Sequence, residues 1–307
     1  MMTGVINLKL FIDKLITKIK QKNSHICVGL DPHLHLIPEF LLEKAAEETT
    51  TREEALGLAI WRFNREIIDH IKDFTAVVKP QIALYEKIGL SGIKALYKTI
   101  NYAHENNLLV LLDAKRNDIG STAQAYAEAY LKNDNIDAIT VNPYLGNDGI
   151  KPFLKYEDKG AFALVRTSNQ SAVEIQDIKT TDNKYVYQKV GELVTKWGND
   201  LKGQFGYSNL GAVVGATYPD ELKTLRKSMP DSYFLIPGYG AQGGGVKDIL
   251  DGFNSDQLGA IVNSSRGIIF AYKKAANSDT YLPQQFAEAA RKEAKKMRDD
   301  INMELMK

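Results

Sequence analysis

Cysteine is almost missing: Cys27, inside the apolar run Ile26–Leu30, is the only one among 307 residues. No internal disulfide can form, which suits a reducing compartment, and the expected role for Cys27 is that of a small buried hydrophobe. Net charge is also nearly missing. The 39 basic and 38 acidic residues leave +1 at pH 7, so there is no electrostatic footprint for nucleic acid or an anionic membrane. No apolar stretch approaches the roughly 20 residues that span a bilayer. The N-terminus lacks an uninterrupted apolar core followed by a small-residue cleavage site. The expectation is a soluble cytoplasmic protein with neither nucleic acid nor membrane as partner. Three chemical signatures are absent as well. No GxGxxG follows the first apolar run, which argues against dinucleotide binding, and there is no GxSxG nucleophile elbow. His33 and His35 stand at i, i+2 spacing without the further ligands that would complete a metal shell, and they read as loop residues.

What is present is a regular alternation. A helical period runs through Leu8, Phe11, Ile12, Leu15, Ile16 and Ile19. Eight short apolar runs follow: Ile26–Leu30, 76–78, 108–112, Ala138–Val141, 162–165, 212–214, 234–236 and 260–262. Helical patterns over Arg52–Ile71, 92–105, 121–131, 186–197, 220–227 and 246–253 separate most of them, and another spans 281–297. Alternating strands and helices imply parallel pairing through right-handed crossovers. Eight such units predict a closed (β/α)₈ TIM barrel forming a single domain over residues 1–307, with an N-terminal helix. Two connections exceed what a bare barrel needs, and they are expected as extended loops after strands 1 and 5, at 38–51 and 168–185.

Chemistry concentrates where the runs end. The third run leads into Asp113-Ala114-Lys115-Arg116-Asn117-Asp118. Side chains at i and i+2 of a strand share a face, so Asp113 and Lys115 should point the same way. Ionised groups beside a core need compensation, because stripping their water costs several kcal/mol or more. A mutually paired set is therefore expected there. Asp31 ends the first run, Lys79 the second and Arg166-Thr167-Ser168-Asn169 the fifth. The seventh run ends in Pro237-Gly238-Tyr239-Gly240, and Asn263-Ser264-Ser265-Arg266-Gly267 closes the eighth. In a closed barrel these groups converge on one rim. The glycine-rich stretch 237–245 brings backbone N–H groups close to an anion, and Arg266 adds a fork suited to phosphate. Loops after strands 7 and 8 are the usual phosphate cradle of such barrels.

The run DAKRNDIGSTAQAY resembles the signature of orotidine 5′-phosphate decarboxylase, Asp-x-Lys-x-x-Asp followed four residues later by Thr. The likeness continues through Asp31, Lys79 in VVKPQ, RTSN, PGYGAQGGG and the Arg of NSSRG, and it covers essentially the whole chain. The extra length and the RTSN and PGYGAQGGG forms resemble the longer bacterial subgroup. The resemblance implies conversion of orotidine 5′-monophosphate (OMP) to uridine 5′-monophosphate (UMP) and CO2 in pyrimidine biosynthesis, without metal or organic cofactor. It implies that Lys115 protonates C6 beside Asp113, and that Asp31 and Lys79 hold ribose hydroxyls and complete an alternating charge array. Asp118 and Thr122 would reach the neighbouring site of a homodimer. Ser168 or Thr167 would bind the pyrimidine edge. Phosphate would fall to Gln242 and Arg266, flanked by Pro237, Gly238, Ser265 and Gly267, with 243–245 closing as a lid. Carboxylates flanking a lysine favour an ammonium, which donates a proton rather than attacking a carbonyl.

Three other readings compete. A Mg²⁺-dependent sugar-phosphate decarboxylase or aldolase on the same scaffold would need an added acid after strand 2, where this chain has Lys79; a cation there repels Mg²⁺. A Schiff-base aldolase would use Lys115 as nucleophile. A non-enzymatic nucleotide-phosphate sensor would bind without turnover, and it gives no reason for the charge array.

Overall fold

Eight parallel strands close into a barrel in chain order, with the last pairing on the first. They are β1 (Ile26–Leu30), β2 (Val77–Pro80), β3 (Leu109–Arg116), β4 (Ala138–Val141), β5 (Gly160–Arg166), β6 (Ser208–Val214), β7 (Ser232–Ile236) and β8 (Ala260–Ser264). This computed structural model describes residues 10–239, 245–274 and 281–307.

The period-2 rule sorts every strand into an outer and an inner face. Val28, Leu30, Val78, Val110, Leu112, Ile139, Val141, Ala163, Val214, Ile236 and Val262 face outward into one continuous core beneath the surrounding helices. Cys27, Val77, Leu109, Leu111, Ala138, Phe162, Leu235 and Ile261 form a separate inner cluster. The helix Phe11–Lys22 buries Phe11, Ile12, Leu15, Ile16 and Ile19 in that inner cluster. It therefore plugs the N-terminal ends of the strands, with Ile12 N–H donating to Asn209 Oδ1 at 3.0 Å. A cavity opens at the opposite, C-terminal end of the strands.

The connection after β1 is not a loop. Residues Glu39–Glu47 are helical, because Leu41 and Ala45, four residues apart, bury one face. The helix Arg52–Ile71 then starts at a capping box: Thr51 Oγ1 accepts from the Glu54 N–H at 3.2 Å, and Glu54 Oε2 accepts from the Thr51 N–H at 3.2 Å. The connection after β5 carries a 3₁₀ turn, Gln170–Ala172, a single α-turn, Val173–Gln176, and an isolated antiparallel bridge between Lys179 and Tyr185. Where the helical pattern at 246–253 predicts an α-helix, the chain forms the tighter 3₁₀ helix Lys247–Gly252. Gly252 packs against β7 there, since an added Cβ would lie 2.6 Å from Ile236 Cδ1. The C-terminal helix runs over Phe286–Leu305, later than the pattern from 281 suggests, after a 3₁₀ turn at Pro283–Gln285.

Candidate active site

Extending the inner-face alternation to the C-terminal ends generates the site. After the apolar inner layer, the next inner positions are Asp31 just past β1, Lys79 on β2 and Gln81 just past it, Asp113 on β3, Thr140 on β4 and Asn142 just past it, and Asn263 on β8 and Ser265 just past it. On β5, β6 and β7 the same layer is apolar: Leu164, Val213 and Leu235. One half of the mouth is thus charged and the other greasy. A cavity of about 680 Å³ sits over both halves. Lys79, Asp113, Lys115, Thr140 and Asn142 line its polar wall, and Val165, Ala172, Ile175, Val186 and Val190 are among its apolar lining.

Asp113 is the hub of the polar wall. Its Oδ2 accepts from Lys79 Nζ at 2.8 Å and from Gln81 Nε2 at 3.1 Å. Its Oδ1 accepts from Lys115 Nζ at 2.6 Å and from the Thr140 hydroxyl at 2.8 Å. The side chains of Lys79 and Asp113 are only 6% and 9% exposed, whereas that of Lys115 is 45% exposed. Opposite charges 2.8 Å apart attract by about 6 kcal/mol at an effective dielectric near 20, which offsets a desolvation cost of several kcal/mol per ion. Burial opposes the charge on Lys79, but Asp113 and, behind it, Asp31 override that and hold its ammonium above the usual lysine range. Burial likewise disfavours the Asp113 carboxylate, yet Lys79 and Lys115 hold its carboxyl below the usual range. Beneath this row, burial pushes the Cys27 thiol up to about 12, which leaves it inert.

Lys115 reaches Asp113, but not by simple strand alternation. The β3–β4 register shifts between Leu112 and Arg116, and Lys115 has φ +49°. Such a conformation costs a non-glycine residue about 1–3 kcal/mol. Thr140 Oγ1 holds the distortion in place by accepting from the N–H groups of both Ala114 and Lys115 at 3.0 Å. One hydroxyl therefore fixes both the kinked backbone and the carboxylate.

Asp31 stands on the other side of Lys79. Its Oδ2 accepts from the Ser265 hydroxyl at 2.5 Å, across the β1–β8 seam, and its Oδ1 is buried without a partner among the described residues. Gly29 makes this approach possible, since a Cβ there would fall 1.7 Å from Ser265 Oγ. Next to Ser265, Arg266 is exposed and makes no ion pair with any described residue. It lines a second recess of about 330 Å³ with Tyr239, Ser264, Gly267 and Lys274. Pro237 lines the main cavity, and Gly238 follows it with φ +101°. Gln242 and 243–244 lie outside the described residues.

Asp118 and Thr122 do not join the array within one chain. Asp118 is half-buried, with its Oδ1 accepting from the Ile119 N–H at 2.8 Å, and Thr122 is exposed on the helix Gly120–Leu131. In the single chain Lys115 therefore touches one carboxylate, Asp113, rather than two. Arg166 does depart from the sequence expectation, because it does not reach the rim. A register shift between Leu164 and Arg166 turns it outward, as bulges beside active sites commonly re-aim a side chain. There it is 1% exposed, pairs with Asp177 at 2.7 Å and Glu221 at 3.6 Å, and lies against the rings of Tyr187 and Tyr218. Thr167 and Ser168, just beyond the shift, line the cavity.

Gln81, Thr140 and Gln176 belong to the site and escape inspection of the charged residues. Gln81 and Thr140 are foreseeable from alternation alone, two residues beyond Lys79 and two beyond Ala138. Gln176 comes from the connection after β5, where no period applies. Among the described residues no group of three His, Cys, Asp or Glu could hold a metal ion, and no helix is long and apolar enough to cross a membrane.

The chain matches the family model described as "Orotidine 5'-phosphate decarboxylase / HUMPS family" over residues 24–281. It is 44% identical over 299 residues to orotidine 5′-phosphate decarboxylase of Clostridium perfringens (strain SM101 / Type A), covering 96% of this chain and 99% of the relative. It is 40% identical over 297 residues to the enzyme of that name from Caldicellulosiruptor saccharolyticus, covering 92% and 97%. Among solved structures, OMP decarboxylase of Leishmania donovani superimposes with a TM-score of 0.76 at 31% identity, over 97% of this chain and 99% of that one. With a closed parallel barrel, a Lys–Asp–Lys row at its mouth and matches along nearly its full length, the chain belongs to the orotidine 5′-phosphate decarboxylase / HUMPS family.

Proposed function

We propose that this chain is an orotidine 5′-phosphate decarboxylase, a carboxy-lyase that converts OMP to UMP and CO2 within pyrimidine biosynthesis. The observation that carries the reading is the row Lys79–Asp113–Lys115, in which one buried carboxylate holds two ammonium groups at 2.8 and 2.6 Å. When the C6 carboxylate of OMP leaves as CO2, the electron pair of the broken bond stays on C6, which has no electron sink attached. Fixed charges already oriented at that carbon need no reorganisation during the step. Lys115 gives its proton to C6, and the neutral amine left on its half-exposed side chain regains one from solvent. Asp113 keeps Lys115 aimed and stands beside the departing carboxylate. Asp31 and Lys79 bind ribose hydroxyls; Asp31 Oδ1, buried and without a partner among the described residues, is the acceptor left over for one of them. Thr167 or Ser168 reads the pyrimidine edge. Arg266 and Gln242 take the phosphate, flanked by Pro237, Gly238, Ser265 and Gly267. That remote binding energy then helps order the charge array.

The curated relatives carry the decarboxylase name over nearly their whole length, and Lys79 occupies the place where a Mg²⁺-dependent sugar-phosphate enzyme would need an acid. The test is the absorbance change of OMP mixed with purified protein in excess EDTA. Turnover is expected to be undiminished by the chelator. Chelator-sensitive turnover of a sugar phosphate, with OMP untouched, contradicts the reading.

The active unit we propose is a homodimer of single-domain chains in the cytoplasm, and the lone buried Cys27 suits that compartment. Asp118 and Thr122 would complete the neighbouring site as the second anion and a hydroxyl. Ile119, Tyr144 and Leu145, on the loops after β3 and β4, are 56%, 81% and 45% exposed and offer apolar surface for a partner beside Asp118. Mixing inactive Asp118→Ala and Lys115→Ala proteins is therefore expected to restore about a quarter of wild-type activity, since random exchange creates heterodimers with one intact site. No recovery after demonstrated subunit exchange argues against shared sites.

A further inference from the structure

We propose that Gln176 is a positioning residue that sets the enzyme's preference for a uracil edge over a cytosine edge; the inference rests on the decarboxylase reading above. Gln176 ends the single turn Val173–Gln176 in the connection after β5. Its amide grips one residue twice. Oε1 accepts from the Thr167 N–H at 3.0 Å, and Nε2 donates to the Thr167 hydroxyl at 2.7 Å. That hydroxyl in turn donates to Asn169 Oδ1 at 2.7 Å. Both protons Thr167 could offer a ligand are thus spent inside the protein.

Ser168 is in the opposite situation. It lines the main cavity, and neither its amide N–H nor its hydroxyl has a hydrogen-bond partner among the described residues. Gly215 leaves room beside it: a Cβ on Gly215 would lie 3.0 Å from Ser168 Cβ and 3.1 Å from Ser168 N. The neighbouring pair of Asp177 with buried Arg166, at 2.7 Å, pins the same strap behind the strand end. The Gln176 grip and the Asp177 ion pair therefore fix the backbone that presents Ser168.

The polarity of these groups gives the preference. A uracil edge offers a C4 carbonyl acceptor beside an N3–H donor, and a cytosine edge offers an amino donor beside an unprotonated N3. A backbone N–H can only donate, so a fixed Ser168 amide matches the carbonyl and leaves the amino group facing another donor. The hydroxyl adapts to either edge. Discrimination then depends on how firmly the amide is held, and Gln176 holds it without meeting the base. A site built to hydrogen-bond one edge rejects the other only while its geometry stays within about half an ångström.

The experiment is equilibrium binding of UMP and CMP to wild-type, Gln176→Leu and Gln176→Glu proteins, with kcat and KM for OMP measured alongside. Gln176→Leu is expected to weaken UMP binding about tenfold, the worth of one well-placed hydrogen bond, and to leave CMP binding within about twofold. KM for OMP should rise more than kcat falls. Gln176→Glu keeps the acceptor for the Thr167 N–H and is expected to restore most of the UMP affinity. In a Ser168→Gly background, which frees the same backbone, Gln176→Leu should add little, as coupled positions require. Equal weakening of UMP and CMP, or full additivity of the two substitutions, overturns the inference. If Gln176→Leu does not fold, Thr167→Val, which removes the hydroxyl that Gln176 holds, is expected to narrow the UMP/CMP ratio, and an unchanged ratio overturns it. A wild-type protein that neither binds UMP nor consumes OMP instead marks failure of the decarboxylase reading itself.

Discussion

Lys115→Ala is expected to lower kcat for OMP by about 10⁴-fold or more while UMP still binds within about tenfold of wild type. A positioned general acid contributes about 10²–10⁴-fold, and loss of a fixed charge facing the developing carbanion removes about 10²–10³-fold more. Folding should survive, because the Lys115 side chain is 45% exposed and its loss leaves Asp113 still paired with Lys79. The left-handed backbone at φ +49° is held by Thr140 through main-chain N–H groups, so it does not depend on the lysine side chain. The check combines a decarboxylation progress curve with calorimetric UMP binding. A loss smaller than a hundredfold contradicts the proton-donor role. An equal collapse of UMP affinity would instead assign Lys115 to ground-state binding.

Asp113→Asn should strike both activity and stability. The amide keeps the shape but removes the one anion that, among the described residues, pairs with the buried Lys79 ammonium, leaving it the more distant Asp31. Breaking a buried ion pair from one side costs about 3–5 kcal/mol, so denaturant unfolding at pH 7 should show a loss of that size. The pH dependence has a definite sign. The Asp113 carboxyl is held below its unfolded value, so its contribution is complete above about pH 4 and is lost as pH falls through the lower folded value. Lys79 is held above its unfolded value, so its contribution is complete below about pH 10 and is lost only as pH rises through the higher folded value. The stability gap between wild type and Asp113→Asn should therefore be flat from about pH 5 to 9 and narrow below about pH 4. A gap that widens in acid contradicts the assignment of the charge to Asp113. kcat should fall as well, because Lys115 loses the carboxylate that aims it.

The barrel was legible because its two determinants are local: apolar runs of three to five residues, and helical periods between them. β1 and β4 begin and end where their runs do, at Ile26–Leu30 and Ala138–Val141. The charged site residues were legible because buried charge is costly enough to stand out at a strand end. Departures occur where tertiary contact overrides local pattern. Strand alternation alone does not foresee the register shifts in β3 and β5; the first comes with a left-handed Lys115 that still meets Asp113, and the second turns Arg166 outward. Arg166 reads as a rim cation only until Asp177 and Glu221, 11 and 55 positions later in the chain, are seen to enclose it. The helix Glu39–Glu47 was hidden because only Leu41 and Ala45 of its nine residues are buried, too sparse a stripe to register as a period. Gln176 carries no charge and sits in no periodic element, so only its two hydrogen bonds to Thr167 reveal it. Asp118 is the reverse case: its position in the motif is plain, but one chain gives it nothing to act on.

In the proposed reaction an ammonium held by Asp113 quenches a bare carbon at C6. Turnover of OMP in D2O with a chelator present, followed by NMR of the product, tests it most directly. The account predicts one CO2 released per UMP formed and a single deuterium at C6, with Lys115→Ala protein forming almost no product. OMP recovered intact from the wild-type protein, or deuterated product formed at comparable rates without Lys115, would contradict it.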